Sequence, residues 1–95
     1  MAAPQGLTRL HLTVTGRVQG VGYRWFFRRL AESLGVSGWV RNREDGSVEA
    51  QAEGDAAALD EFVARLKDGN PAARVDSVES RPLPPRGEPD FRIAV

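Results

Sequence analysis

The sequence predicts an α+β fold, one sheet with two helices packed on a single face. Several short runs alternate apolar with polar residues, the period of a strand with one buried face. Two longer runs carry apolar residues at helical spacing. Taken along the chain, the order is β-α-β-β-α-β with a small extra strand at the end.

Each element follows from its residues. Leu10, Leu12 and Val14 alternate with Arg9, His11, Thr13 and Thr15, which gives a first strand. A glycine-rich stretch follows. Tyr23, Phe26, Phe27, Leu30, Ala31 and Leu34 recur at helical spacing, so a helix runs over 23–34 and Gly35 stops it. Residues 36–43 form a second strand, Glu44-Asp45-Gly46 a tight turn, and 47–53 a third strand. In that third strand Val48, Ala50 and Ala52 take one face, and Glu49, Gln51 and Glu53 the other. Asp55 suits a helix N-cap, with Leu59, Phe62, Val63 and Leu66 as the apolar stripe of a second helix. Gly69-Asn70-Pro71 ends it. Residues 75–80 form a fourth strand, Pro82 to Gly87 an exposed, stiff connection, and 91–95 a short terminal strand. The pattern is ferredoxin-like, nominally an antiparallel sheet. In this split arrangement the first two strands run parallel with another between them. Their C-terminal ends then lie at the same edge, which brings the glycine-rich stretch close to Asn42.

Ninety-five residues make one domain, spanning 7–95, with 1–6 as a loose tail. Thirteen basic and thirteen acidic residues cancel, so no global field draws the chain to nucleic acid or acidic membranes. Cysteine is absent, which excludes disulfides, thiolate nucleophiles and Cys-ligated zinc and suits a cytoplasmic setting. No segment has the apolar length of a membrane span.

The stretch Gly16-Arg17-Val18-Gln19-Gly20-Val21-Gly22-Tyr23-Arg24 carries most of the functional information. Three glycines and no carboxylate sit at the start of a helix, where free backbone N–H groups favour anions. Arg24 adds a planar fork of donors that matches phosphate oxygens. The stretch is not a Walker A loop, because the only lysine is the distant Lys67. It is half of a dinucleotide fingerprint at most, since residue 25 is Trp.

Gly16, Val18, Gln19, Gly20, Val21, Tyr23 and Arg24 match the signature G-x-V-Q-G-V-x-F/Y-R of acylphosphatases. A second motif follows at the right distance, an Arg41-Asn42 pair closing a strand before the turn at Gly46. The chain thus resembles the acylphosphatase family over nearly its whole length, and that family also has the ferredoxin-like fold. The resemblance implies hydrolysis of acyl phosphates to a carboxylate and inorganic phosphate. It implies Arg24 as the phosphate-binding residue, within a loop of Gln19, Gly20, Val21, Gly22, Tyr23 and Arg24, and Asn42 as the residue that positions water. Two departures stand out: Arg43 where many members have threonine, and a C-terminus without the aromatic residue that many members carry.

The residue inventory agrees with this chemistry. The single histidine, His11, falls on the polar side of the first strand and is expected to be exposed, opposite Glu49 or Glu53 and away from the loop. No carboxylate cluster has metal-ligand spacing. A carboxylate leaving group, with a pKa of about 4, departs without a general acid. Holding the phosphoryl group, spreading its charge and aligning a water then suffice. The expectations are therefore no metal, no cofactor, a small acyl phosphate substrate, phosphate and sulfate as competing anions, and a monomer. The physiological acyl group is not legible.

Plainer readings exist for each residue. Arg24 alone could be a surface charge, Asn42 a turn residue, and the glycines only a tight connection. Phe26 and Phe27 read as core, while Trp25 and Trp39 read as partly exposed with no role. RNA-recognition modules share the topology, but Glu49, Gln51 and Glu53 on the face that would meet RNA argue against nucleic acid. A non-catalytic phosphate-binding domain would share the cradle. Retention of both Arg24 and Asn42 favours catalysis.

Overall fold

The computed structural model describes residues 7–20, 22–68 and 72–94. Its elements are β1 (Leu7–Arg17), α1 (Tyr23–Leu34), β2 (Ser37–Asn42), β3 (Val48–Asp55), α2 (Ala56–Asp68), β4 (Arg74–Leu83) and β5 (Phe91–Ile93). The expected tail over 1–6, the helix stop at Gly69–Pro71 and the terminal residue Val95 lie outside the described residues.

One five-stranded sheet has the order β4-β1-β3-β2-β5. β1 pairs antiparallel with β3 and β4, and β2 pairs antiparallel with β3. β3 thus lies between β1 and β2, which run parallel to each other as the split topology requires. The sheet is not purely antiparallel, because β5 joins β2 in parallel through Gly38↔Phe91 to Val40↔Ile93.

Register sets the two faces. Leu12 lies opposite Ala50, and Val14 opposite Val48, so these residues share a face with Val40 of β2. That face meets both helices in one buried core, with Phe27, Leu30 and Ala31 from α1 and Leu59, Phe62 and Leu66 from α2. Small Ala50 and Ala52 at the sheet centre leave room for large rings. Phe27 meets Phe62 edge-on at 5.1 Å, and Phe91 at 5.9 Å between centroids. Such pairs contribute about 0.5–1.5 kcal/mol beyond burial. α1 ends in a Schellman motif: the Val36 N–H donates to the Ala31 carbonyl at 2.8 Å, with Gly35 left-handed at the cap.

The opposite face departs from the alternation pattern. Arg9 and Glu53 were expected in solvent, yet they are 1 % and 2 % exposed. The reason is the connection after β4. Glu53 accepts backbone N–H bonds from Arg86 (2.6 Å), Gly87 (2.7 Å) and Glu88 (3.2 Å), which folds that segment over the sheet. Arg9 then meets Glu53 at 3.2 Å, Glu88 at 3.3 Å and the Gln51 amide oxygen at 2.7 Å. No buried polar side-chain atom lacks a partner among the described residues. The same carboxylates are therefore not the bare negative surface that their positions suggested. Glu49 is engaged too, by His11 at 2.8 Å and Arg41 at 2.7 Å. His11 is accordingly half-buried rather than exposed.

β4 is also longer than expected and runs through Pro82 to Leu83. Proline is tolerated there because β4 is an edge strand, so its missing N–H costs no ladder bond.

Candidate active site

The site begins where β1 ends. At Gly16 the β1–β4 register shifts, and φ is +129°. A side chain there would collide with the Arg74 carbonyl, so only glycine lets the strand close against β4 and turn. The chain then passes through Val18, which is buried and anchors the loop in the core. Gly22 has φ +76° and is the N-cap of α1. Its left-handed conformation and missing side chain leave the first turn of α1 open. No side chain caps that turn, and it holds no acidic residue. The uncompensated N–H groups and the positive end of the helix dipole remain available to an outside anion.

Arg24 sits in this first turn, half-buried. It has no hydrogen-bond or ion-pair partner among the described residues. Its neighbour Tyr23 points the other way, into the core, where its hydroxyl donates to the Leu66 carbonyl at 3.0 Å. Burial pushes that hydroxyl well above the ordinary tyrosine range. Only the backbone of Tyr23 can therefore serve the loop. Val21 lies outside the described residues.

The second half of the site is the β2–β3 hairpin. Asn42 is the last residue of β2 and is exposed, its side chain unengaged among the described residues. The turn beyond it is rigid. The Arg43 N–H donates to the Ser47 carbonyl at 2.8 Å, and Asp45 accepts from the Ser47 N–H at 2.9 Å and hydroxyl at 2.6 Å. These Ser47 bonds, hydroxyl first, hold the Asp45 carboxyl below its ordinary range.

Gln19 joins the two halves. Its side-chain amide donates to the carbonyls of Arg43 (2.7 Å) and Ser47 (2.9 Å). The sequence suggested only a backbone role for this residue. Its side chain in fact ties the glycine-rich loop to the hairpin, 24 positions away in sequence. The shared edge of β1 and β2 makes that link possible. Periodicity could not reveal it, because the partners are backbone carbonyls with no sequence signature.

Two surface concavities flank the site. One of about 500 Å³ is lined by Arg41, Asn42, Arg43, Glu44 and Asp45. The other, about 560 Å³, starts at Gly22 and runs along α1 past Trp25 and Arg29. Trp25 is 61 % exposed, with the Arg28 guanidinium 5.7 Å from its ring. Trp39 is half-buried beneath Arg41. No group of three or more His, Cys, Asp or Glu that could hold a metal occurs among the described residues. No helix among them is long and apolar enough to cross a membrane.

The family model for Acylphosphatase matches residues 10–93, which takes in both helices, most of β1, all later strands and both halves of the site. The chain belongs to the acylphosphatase family. An acylphosphatase from Treponema denticola is 54 % identical over 89 residues, covering 94 % of this chain and 95 % of that protein. The crystal structure of acylphosphatase from Bacillus subtilis matches with a TM-score of 0.90 at 38 % identity, over 93 % of this chain and 99 % of that one. The structure of an acylphosphatase from Coxiella burnetii matches with a TM-score of 0.91 at 36 % identity, over 95 % of each. Acylphosphatase membership brings the reaction class with it, a hydrolase acting on acyl phosphates.

Proposed function

We propose that this enzyme hydrolyses the carboxyl–phosphate bond by holding the phosphoryl group between Arg24 and the backbone N–H groups of residues 19–24. The observation that carries this reading is Arg24 itself. A guanidinium with no hydrogen-bond or ion-pair partner among the described residues stands in an uncapped helix turn that contains no carboxylate. Positive charge is gathered there and not neutralised, as a site for a phosphate dianion requires.

Asn42 takes the complementary role. It can accept one hydrogen bond from a water and donate another to a phosphoryl oxygen. Gln19 fixes the distance between the Asn42 strand end and the loop. The water oxygen attacks phosphorus while the bond from phosphorus to the acyl oxygen breaks. The carboxylate leaves with that electron pair, and the water's proton passes to the phosphate product or to solvent. Arg24 and the N–H groups stabilise charge on the equatorial oxygens throughout. The weakly basic leaving group makes a protonating residue unnecessary, and in this reading no metal or cofactor takes part. Inorganic phosphate, the product, and sulfate, its mimic, compete for the cradle. We take the enzyme to be a monomer, and the absence of cysteine suits a cytoplasmic setting.

Benzoyl phosphate tests this reading, because its hydrolysis is followed by loss of ultraviolet absorbance. Turnover that persists in EDTA, with p-nitrophenyl phosphate far slower, is expected. Activity abolished by EDTA and restored by magnesium would overturn the metal-free mechanism. Comparable rates on the phenyl ester would overturn the leaving-group account.

A further inference from the structure

Arg43 is placed differently from Arg41, the other cation of the β2–β3 hairpin that lines the concavity. Its backbone is fixed on both sides: its N–H donates to Ser47, and its carbonyl accepts from Gln19 and from the Gly46 N–H at 3.2 Å. Its guanidinium is exposed and has no hydrogen-bond or ion-pair partner among the described residues. Arg41, by contrast, is committed to Glu49 and stacked on Trp39. Arg43 thus presents a positive charge that no ion pair binds among the described residues, on a backbone held by hydrogen bonds, next to Asn42 in sequence and bordering the same 500 Å³ concavity. The phosphoryl group occupies the glycine-rich loop in the reading above, so this concavity lies on the hairpin side of that group.

From this placement we infer that Arg43 is a specificity residue for acyl phosphates whose acyl part bears a second negative charge, such as a carboxylate or another phosphate. The inference rests on the Arg24 and Asn42 reading of the site. The nearby carboxylates do not cancel the effect equally. Glu49 is paired with Arg41, whereas Asp45 is bound only by the neutral Ser47, keeps its charge and acts electrostatically on Arg43. Glu44 makes no hydrogen bond or ion pair among the described residues, so Glu44 and Asp45 both line the concavity as charges that oppose Arg43. Removal of Arg43 should therefore lower the preference, and removal of Glu44 should raise it.

The experiment compares kcat/KM for 4-carboxybenzoyl phosphate with that for benzoyl phosphate in wild type, Arg43→Gln, Arg43→Lys and Glu44→Gln. The ratio of the two substrates within each variant cancels differences in folding and in the chemical step. An exposed charge pair of this kind changes such a ratio by about two- to fivefold. Arg43→Gln should lower the ratio by that factor, Arg43→Lys should keep it, and Glu44→Gln should raise it. The differences should shrink in 0.5 M salt, because the interaction is screened. Equal ratios in wild type and Arg43→Gln would overturn the inference while leaving the reaction assignment intact. Loss of both activities in Arg43→Gln would also overturn it, because Arg43 would then belong to the cradle. Failure of wild type to turn over either substrate would instead refute the reading of the site on which the inference stands.

Discussion

Arg9 on β1 and Arg24 at the start of α1 differ in everything that meets the guanidinium. Arg9 is buried and bound by Gln51, Glu53 and Glu88. Arg24 is half-buried and meets no partner among the described residues. Around Arg9 the protein supplies the anions itself and uses them to fold the connection after β4 onto the sheet. Around Arg24 it supplies backbone donors and withholds carboxylates. In the proposed reading, the contrast separates a charge that serves the fold from one that serves a ligand. It also predicts that substitutions at the two corners should damage different properties.

The largest expected effect is on activity at Arg24. Arg24→Ala should lower kcat/KM for benzoyl phosphate by about 10²–10⁴. Arg24→Lys should be nearly as harmful, because lysine keeps the charge and loses the planar fork. Both variants should unfold in urea close to wild type. A lysine variant within about threefold of wild type in kcat/KM would show that Arg24 acts as a plain point charge.

The Arg9 corner should give the reverse. Arg9→Ala leaves the buried Glu53 carboxylate without its cation, and breaking such a pair costs about 3–5 kcal/mol. Equilibrium urea unfolding should record that loss. The kcat per folded molecule should hold within a few-fold. A catalytic collapse as deep as that of Arg24→Ala, in protein still folded, would erase the distinction between the corners.

Asn42 comes next. If it aligns the attacking water, Asn42→Ala should lower kcat by about a hundredfold while phosphate inhibition changes little. Asn42→Asp is sharper, because a carboxylate would repel the phosphoryl dianion. It should be no faster than alanine at neutral pH and should weaken phosphate inhibition. An aspartate variant matching wild type would mean that the site uses a general base there.

The smallest effect is a pH dependence at Glu53. Burial alone would raise its pKa, but the N–H groups of Arg86 and Gly87, the Arg9 guanidinium and the N–H of Glu88 together bring it below the ordinary 4.5. A carboxyl with a depressed folded pKa adds stability above its unfolded pKa, and that stability is lost as pH falls through the folded value. Glu53→Gln should therefore be clearly less stable than wild type at pH 7. The difference should narrow as pH drops below about 4.5. A gap that stays constant down to pH 3 would mean that packing, rather than the carboxylate charge, holds the connection.

Much of this architecture was legible in the residues. The helix over 23–34 has its bounds as expected, because its apolar spacing and Gly35 act locally. The crossover that brings the loop to the hairpin followed from element order alone. The corner at Arg9 was hidden for a physical reason. Alternation assigns Arg9 and Glu53 to the outer face of the sheet, and they are there. That face is covered by a connection whose path depends on Glu53 itself. Pro82 was misleading because an edge strand tolerates what a central strand does not. The motifs single out Arg24 and Asn42 as candidates, and their roles are those proposed above. The bridge from Gln19 to the Arg43 and Ser47 carbonyls was not visible, because backbone acceptors look the same at every position.

The central claim is that the Arg24 corner is the anion site. A crystal soaked in phosphate tests it most directly, without any substitution. The account predicts one phosphate in the loop, bound by the Arg24 guanidinium and by backbone N–H groups within residues 19–24, with the Arg9 cluster unchanged. Phosphate bound elsewhere, with the loop empty and Arg24 turned to solvent, would contradict it.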